Sequence, residues 1–137
     1  MKPFEYLEHT ADIGVRAYGR TAKEAFENAA QGMFSLITDL ERVKPEREET
    51  VEVEAADIEA LLVEWLGELL FRLELEDLLF KEFQVKELSD TRLVARAKGE
   101  KIDPQRHPLL LQIKAVTYHM IEVRKNDLWH AQVVFDI

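Results

Sequence analysis

Three short segments of this chain concentrate polar side chains in otherwise well-patterned surroundings. They are Glu8-His9-Thr10-Ala11-Asp12-Ile13-Gly14, Lys114-Ala115-Val116-Thr117-Tyr118-His119, and the end, Val133-Val134-Phe135-Asp136-Ile137. The chemistry within their reach is cation binding. Asp12, Asp136 and a terminal carboxylate on Ile137 are hard oxygen donors, which suit Ca²⁺ or Mg²⁺ better than Zn²⁺. They converge if the terminal strand runs beside the strand that starts at Ile13. Free chain ends are poorly ordered unless tied down, so an apolar-rich strand at the end fits such a site. On the residues alone a plainer alternative stays open, in which Asp12 caps a turn and Asp136 is a solvated end. Asp12 is expected in a loop.

His9 and His119 could each act as ligand, general base or partner contact. A lone histidine beside a strand is more often a hydrogen-bonded structural residue, so structure or partner contact is preferred for both over direct ligation. Lys114 alternates with apolar neighbours and reads as a snorkelling strand residue. His107 and His130 have no supporting context, and Tyr118 and Trp129 read as core aromatics. A small hydrolase site would need His9, Asp12 and His119 around a metal. Against it, the chain has no nucleophile motif, no Gly-rich phosphate loop and no second carboxylate at acid/base spacing.

The elements that must position these residues follow from periodicity. Residues 13–18 alternate and predict a strand. Thr21, three residues before Glu24, predicts a capping box. Behind it Ala22, Ala25, Phe26, Ala29, Ala30, Met33, Phe34 and Ile37 form one helical apolar stripe. Val51, Val53 and Ala55 alternate with polar residues as a half-buried strand. Asp57 then caps a second helix with the stripe Ile58, Leu61, Leu62, Trp65, Leu66, Leu69, Leu70 and Leu73. Glu59, Glu64, Glu68 and Arg72 lie off that stripe and read as solvated surface.

Beyond Asp77 the period falls to two. Phe83 and Val85, a turn at Ser89-Asp90, then Leu93, Ala95 and Ala97 predict a hairpin. Residues 99–108, with Asp103-Pro104, predict a loop holding one helical turn. Residues 113–123 and 128–135 predict two last strands joined at Lys125-Asn126-Asp127. Two amphipathic helices among mostly sequential hairpin strands make an α+β domain, with both helices expected on one face of a single antiparallel or mixed sheet. Leu62, Trp65, Leu66, Leu69, Phe26, Ala30 and Phe34 are its expected core.

Bulk composition bounds the function. The 137 residues suit one domain, residues 1–137, and a hydrophobic fraction of 47% fills one core. A formal charge of −9 repels phosphate backbones, which argues against strong direct nucleic-acid binding and favours cations and basic protein partners. Without cysteine there is no disulfide and no Cys-ligated zinc. The opening residues have no signal-peptide core, and the apolar stretch 61–73 is broken by Glu64, Glu68 and Arg72, so no membrane segment is expected and the cytoplasm is the expected compartment.

The three polar segments, taken in order, resemble the archease family. Glu8 to Gly14 followed by the helix start at residues 21–26 is similar to its signature. Lys114 to His119 is similar to its second motif, and Phe135-Asp136-Ile137 to its ending. The resemblance is collinear over residues 4–137, and three ordered motifs are far more specific than an isolated His-Thr-Ala-Asp. It implies a small α+β fold and a protein cofactor, not an enzyme. The implied partner is the catalytic subunit of the RNA-splicing ligase that joins tRNA exons, whose guanylylation and repeated turnover the cofactor promotes. It also implies a divalent-metal site, Ca²⁺ first with Mg²⁺ or Mn²⁺ as alternatives, held by Asp12, Asp136 and Ile137. His9, Lys114, Thr117 and His119 are then supporting or partner-contact residues. A general chaperone-like binding module with an exposed apolar helix face is the third reading. The oligomeric state is not legible in the sequence.

Overall fold

The computed structural model describes residues 2–8 and 10–137. In chain order the elements are β1 (Phe4–Glu8), β2 (Asp12–Gly19), α1 (Ala22–Ile37), a 3-10 turn (Leu40–Arg42), β3 (Arg47–Glu54), α2 (Ile58–Glu76), β4 (Leu78–Leu88), β5 (Arg92–Lys101), β6 (Ala115–Lys125) and β7 (Trp129–Asp136). Both helices begin where side-chain oxygens satisfy free amides. The Glu24 amide donates to Thr21 Oγ1 at 3.1 Å, and the Ala60 amide to Asp57 Oδ1 at 2.7 Å. The Glu24 carboxylate reaches back to the Arg20 amide at 3.2 Å, one residue earlier than a capping box places it. α2 ends at Asp77, whose φ of 57° is the left-handed conformation that Asp tolerates at a helix C-terminus.

The fold is α+β, and its strands form two antiparallel sheets where one was expected. Their orders are β1-β2-β7-β6 and β3-β5-β4. The helices lie between them. α1 packs on β2 and β7 of the first sheet and on β4 of the second, while α2 packs on β6 and β3. A helix covered from two sides buries more than one stripe, and α2 accordingly buries Val63, which lies off the expected stripe, beside Leu61, Leu62, Trp65, Leu66, Leu69 and Leu70. All seven expected core residues are fully buried. Trp65 also donates its indole N–H to the Phe26 carbonyl at 3.0 Å, tying the helices together.

Three further expectations shift. β1 was not anticipated, because its residues 4–8 alternate too briefly beside charged Glu5 and Glu8. Residues 99–101 belong to β5, and only then does the chain turn, with the His107 amide donating to the Asp103 carbonyl at 2.7 Å. Tyr118 is 57% exposed and not a core aromatic, whereas Trp129 is half-buried against the core. α1 sits unusually close to β2, since a Cβ on Gly32 would lie 2.9 Å from Val15 Cγ1.

A candidate metal-binding edge

Strand pairing brings the ends of two expected motifs together. In β2 and β7, Asp12 faces Asp136, Ile13 faces Phe135 and Val15 faces Val133. Ile13, Val15, Val133 and Phe135 are buried beneath α1. Alternation therefore sends Asp12 and Asp136 together to the opposite face. On the other flank of β7, Ala115 pairs with Asp136, and the Lys114 amide donates to the Asp136 carbonyl at 2.8 Å. Ile137 is half-buried and packs on the core, which anchors the terminal residue beside this edge.

Asp12 is the first residue of β2, not a loop residue, and it is partly buried. Its Oδ1 is inaccessible to solvent and has no hydrogen-bond partner among the described residues. A buried carboxylate oxygen without a donor is costly, and like charges directly opposite across a strand pair add to the cost. A hard cation held by Asp12, Asp136 and the Ile137 carboxylate would relieve both, so this donor set fits the expected metal. Among the described residues no three His, Asp or Glu side chains cluster as a metal site. The edge thus has two carboxylate side chains, with any further ligand coming from the terminus, the main chain or water.

The supporting residues divide. Thr117 lies two positions along β6, where its hydroxyl donates to the Val134 carbonyl at 2.7 Å and accepts from the His119 amide at 3.3 Å. Lys114 is exposed just before β6, not within a strand, and His119 is exposed. His9 falls outside the described residues. Sequence reasoning missed Arg16 and Gln132, which join across β2 and β7 through 2.8 Å and 2.6 Å bonds to Gln132 Oε1. The signal was present: Gln132 is a lone amide inside the apolar run Ala131–Phe135, and it is buried.

A second cluster lies elsewhere. Glu100 is buried, and its carboxylate accepts from the Lys44 amide at 2.7 Å, from His107 Nε2 at 2.9 Å and from Arg106. His107, which had no context in sequence, is fully buried, and its Nδ1 accepts from the Asp103 amide at 2.9 Å. That bond puts the ring proton on Nε2, facing Glu100. Burial raises the Glu100 pKa, but the Lys44 amide, His107 and Arg106 outweigh it and hold the carboxyl below its ordinary range. These bonds pin residues 102–108 and the Arg42–Lys44 stretch to β5, which is a structural task.

Comparison with known proteins agrees with this architecture. Residues 4–137 match the model of the Archease protein family. Protein archease of Methanosarcina mazei is 48% identical over 141 positions, covering 99% of this chain and 97% of that protein. Protein archease of Pyrococcus furiosus is 42% identical and covers both chains completely. The solution structure of Methanobacterium thermoautotrophicum protein 1598 superposes with a TM-score of 0.87 at 42% identity over all of both chains. A Thermotoga maritima crystal structure, described as an archease and possible chaperone, shares the fold at TM-score 0.66 and 20% identity, covering 96% and 94%. The chain belongs to the archease family. No helix among the described residues is long and apolar enough to cross a membrane.

Proposed function

We propose that this protein is a non-catalytic activator of an RNA-splicing ligase, promoting guanylylation of the ligase and its repeated turnover. Family membership over the whole chain supports the class of activity. The observation that carries the residue-level reading is the buried Asp12 Oδ1, without a hydrogen-bond partner among the described residues and set opposite Asp136 at the sheet edge. On this reading the acidic edge docks beside the nucleotide site of the ligase. A bound divalent cation, Ca²⁺ first and Mg²⁺ or Mn²⁺ otherwise, would supply positive charge against the triphosphate. The protein's own contribution is to fix the donors. β2 and β7 hold the two carboxylates in register, the Lys114 amide holds the Asp136 carbonyl, and the Ile137 side chain anchors the terminus. A net charge of −9 argues that the protein addresses a basic protein surface, not RNA, and the expected compartment is the cytoplasm.

The test is ligase–GMP formation and exon joining with GTP and divalent metal, with this protein at substoichiometric amounts. Wild type should raise both, and Asp12→Ala should abolish the stimulation while keeping the fold. No effect of wild type on its cognate ligase would overturn the reading. Full stimulation by Asp12→Ala would leave the activity and move the site. A chaperone-like module is the second reading, favoured by an apolar groove of about 500 Å³ lined by Leu70, Leu73, Ile102 and Leu111, with Leu109 and Leu110 exposed on it. Binding to many unrelated unfolded clients would support that reading instead.

A further inference from the structure

β6 carries an irregularity that the acidic edge does not explain. Thr117 pairs with Val134 and Glu122 with Gln132, so residues 118–121 stand opposite Val133 alone. Within this bulge Met120 has a φ of 54°. An L side chain is unfavourable there, and unlike Asp77 it terminates no helix. Of the bulge residues only half-buried Ile121 packs on the core, whereas Tyr118 is 57% and Met120 51% exposed, and His119 is exposed too. Hydrogen bonds from neighbouring strands hold the bulge. Gln132 Nε2 donates to the Met120 carbonyl at 2.9 Å, and Gln132 Oε1 is itself held by Arg16 of β2 at 2.8 and 2.6 Å. Strain kept at an exposed position by a buried polar chain is characteristic of functional segments.

We propose that Tyr118, His119 and Met120 form a preformed contact knob, with Arg16 and Gln132 as its positioning residues. It inserts into an uncharged pocket ringed by basic side chains on the protein partner. This inference rests on the ligase-activator reading. Tyr and Met suit such a role, since one gives large rigid area with a polar tip and the other adapts its shape. The surrounding charge selects the partner. Ala115 lies level with Asp136, and two residues of strand, about 7 Å, separate it from Thr117, the last paired residue before the knob. Asp12 and Asp136 therefore lie on one side of the knob beside the exposed cation Lys114, half-exposed Arg16 is tied to the knob through Gln132, and the chain as a whole carries a net charge of −9. That excess complements a basic protein rim and repels RNA phosphates.

The discriminating variant is Met120→Gly, because glycine adopts this φ freely and the fold has no reason to lose by it. Binding of the full-length protein to its cognate ligase is measured by calorimetry, beside the thermal midpoint and amide exchange at residues 118–121. Met120→Gly and Tyr118→Ala should each weaken binding about tenfold or more, with the midpoint unchanged or higher. Gln132→Glu still accepts from Arg16 but cannot donate to the Met120 carbonyl, so it should speed exchange at 118–121 and weaken binding with the fold intact. Wild-type affinity in Met120→Gly and Tyr118→Ala, with wild-type protein binding the ligase, overturns the knob and leaves the activator reading standing. Wild-type exchange and affinity in Gln132→Glu overturn the positioning role. Wild-type protein that does not bind the ligase overturns the activator reading and this inference with it. Tight binding of a single-stranded RNA oligonucleotide that Tyr118→Ala abolishes would make the segment a base-stacking platform and overturn the protein-pocket assignment.

Discussion

Two buried carboxylate oxygens in this small domain have opposite surroundings. Glu100 receives the Lys44 amide, the His107 ring and the Arg106 guanidinium, so both of its carboxylate oxygens have donors, although Arg106 Nε itself has no partner among the described residues. Asp12 Oδ1 has no donor among the described residues and faces a second carboxylate across the strand pair. A buried anion with a full set of donors stabilises a fold, whereas one without them is a cost that folding alone would not retain. The contrast teaches which polar cluster to regard as scaffold and which as site. Both contain an acid, a base and loop backbone, and composition does not separate them.

The sharpest way to break the comparison is to truncate each acid and measure stability. Glu100→Ala removes the acceptor of the Lys44 amide and leaves the buried His107 N–H with the Arg42 carbonyl alone at 3.1 Å, while half-exposed Arg106 can turn to water. The expected loss is about 3 kcal/mol in urea unfolding. Asp12→Ala in the absence of divalent cation should change stability by less than about 0.5 kcal/mol or raise it. Equal losses at the two positions would mean that Asp12 is structural after all.

Acid unfolding sharpens the same contrast. The folded-state pKa of Glu100 is depressed, so its contribution is fully present above the unfolded value of about 4.3 and is lost as the pH falls through the folded value. Wild-type stability should therefore decline below about pH 4 more steeply than that of Glu100→Ala. Identical slopes in chemical denaturation at pH 3 to 5 would remove Glu100 from the account.

At the other carboxylate, calcium affinity is the probe. A C-terminal tag converts the Ile137 carboxylate to an amide and should lower the affinity seen by calorimetry, whereas an N-terminal tag should not. Equal affinities would strike Ile137 from the ligand set. A loss between those at Glu100 and Asp12 is expected for Thr21→Ala, about 1 kcal/mol for an exposed cap remote from both clusters. A loss as large as that at Glu100 would show that exposure does not separate these polar contacts as argued.

Much of the scaffold was legible because it is written in local periodicity. The caps at Thr21 and Asp57, both helical stripes and the paired strands around Ser89-Asp90 and Asn126 depend on neighbours a few residues away, and they form as the spacing predicts, with the strand before Asn126 shifted two residues to Ala115–Lys125. The choice of Asp12 and Asp136 came from the residue types and the resemblance together.

What the sequence by itself determined is the α+β class, the seven-residue core and the identity of the polar segments. Tertiary structure alone decided that the strands split into two sheets around the helices, since period-2 alternation says which face a residue takes but not which strand lies beside it. It also decided the fate of each polar residue. His107 looked idle and proved buried against Glu100, and Tyr118 looked like core and proved exposed. Gln132 looked incidental and proved to join Arg16 to Met120. Those outcomes depend on partners 7, 12 and 116 residues away, brought together only when the sheets form. Their signs were set by long-range pairing, and no local pattern in the chain encodes that.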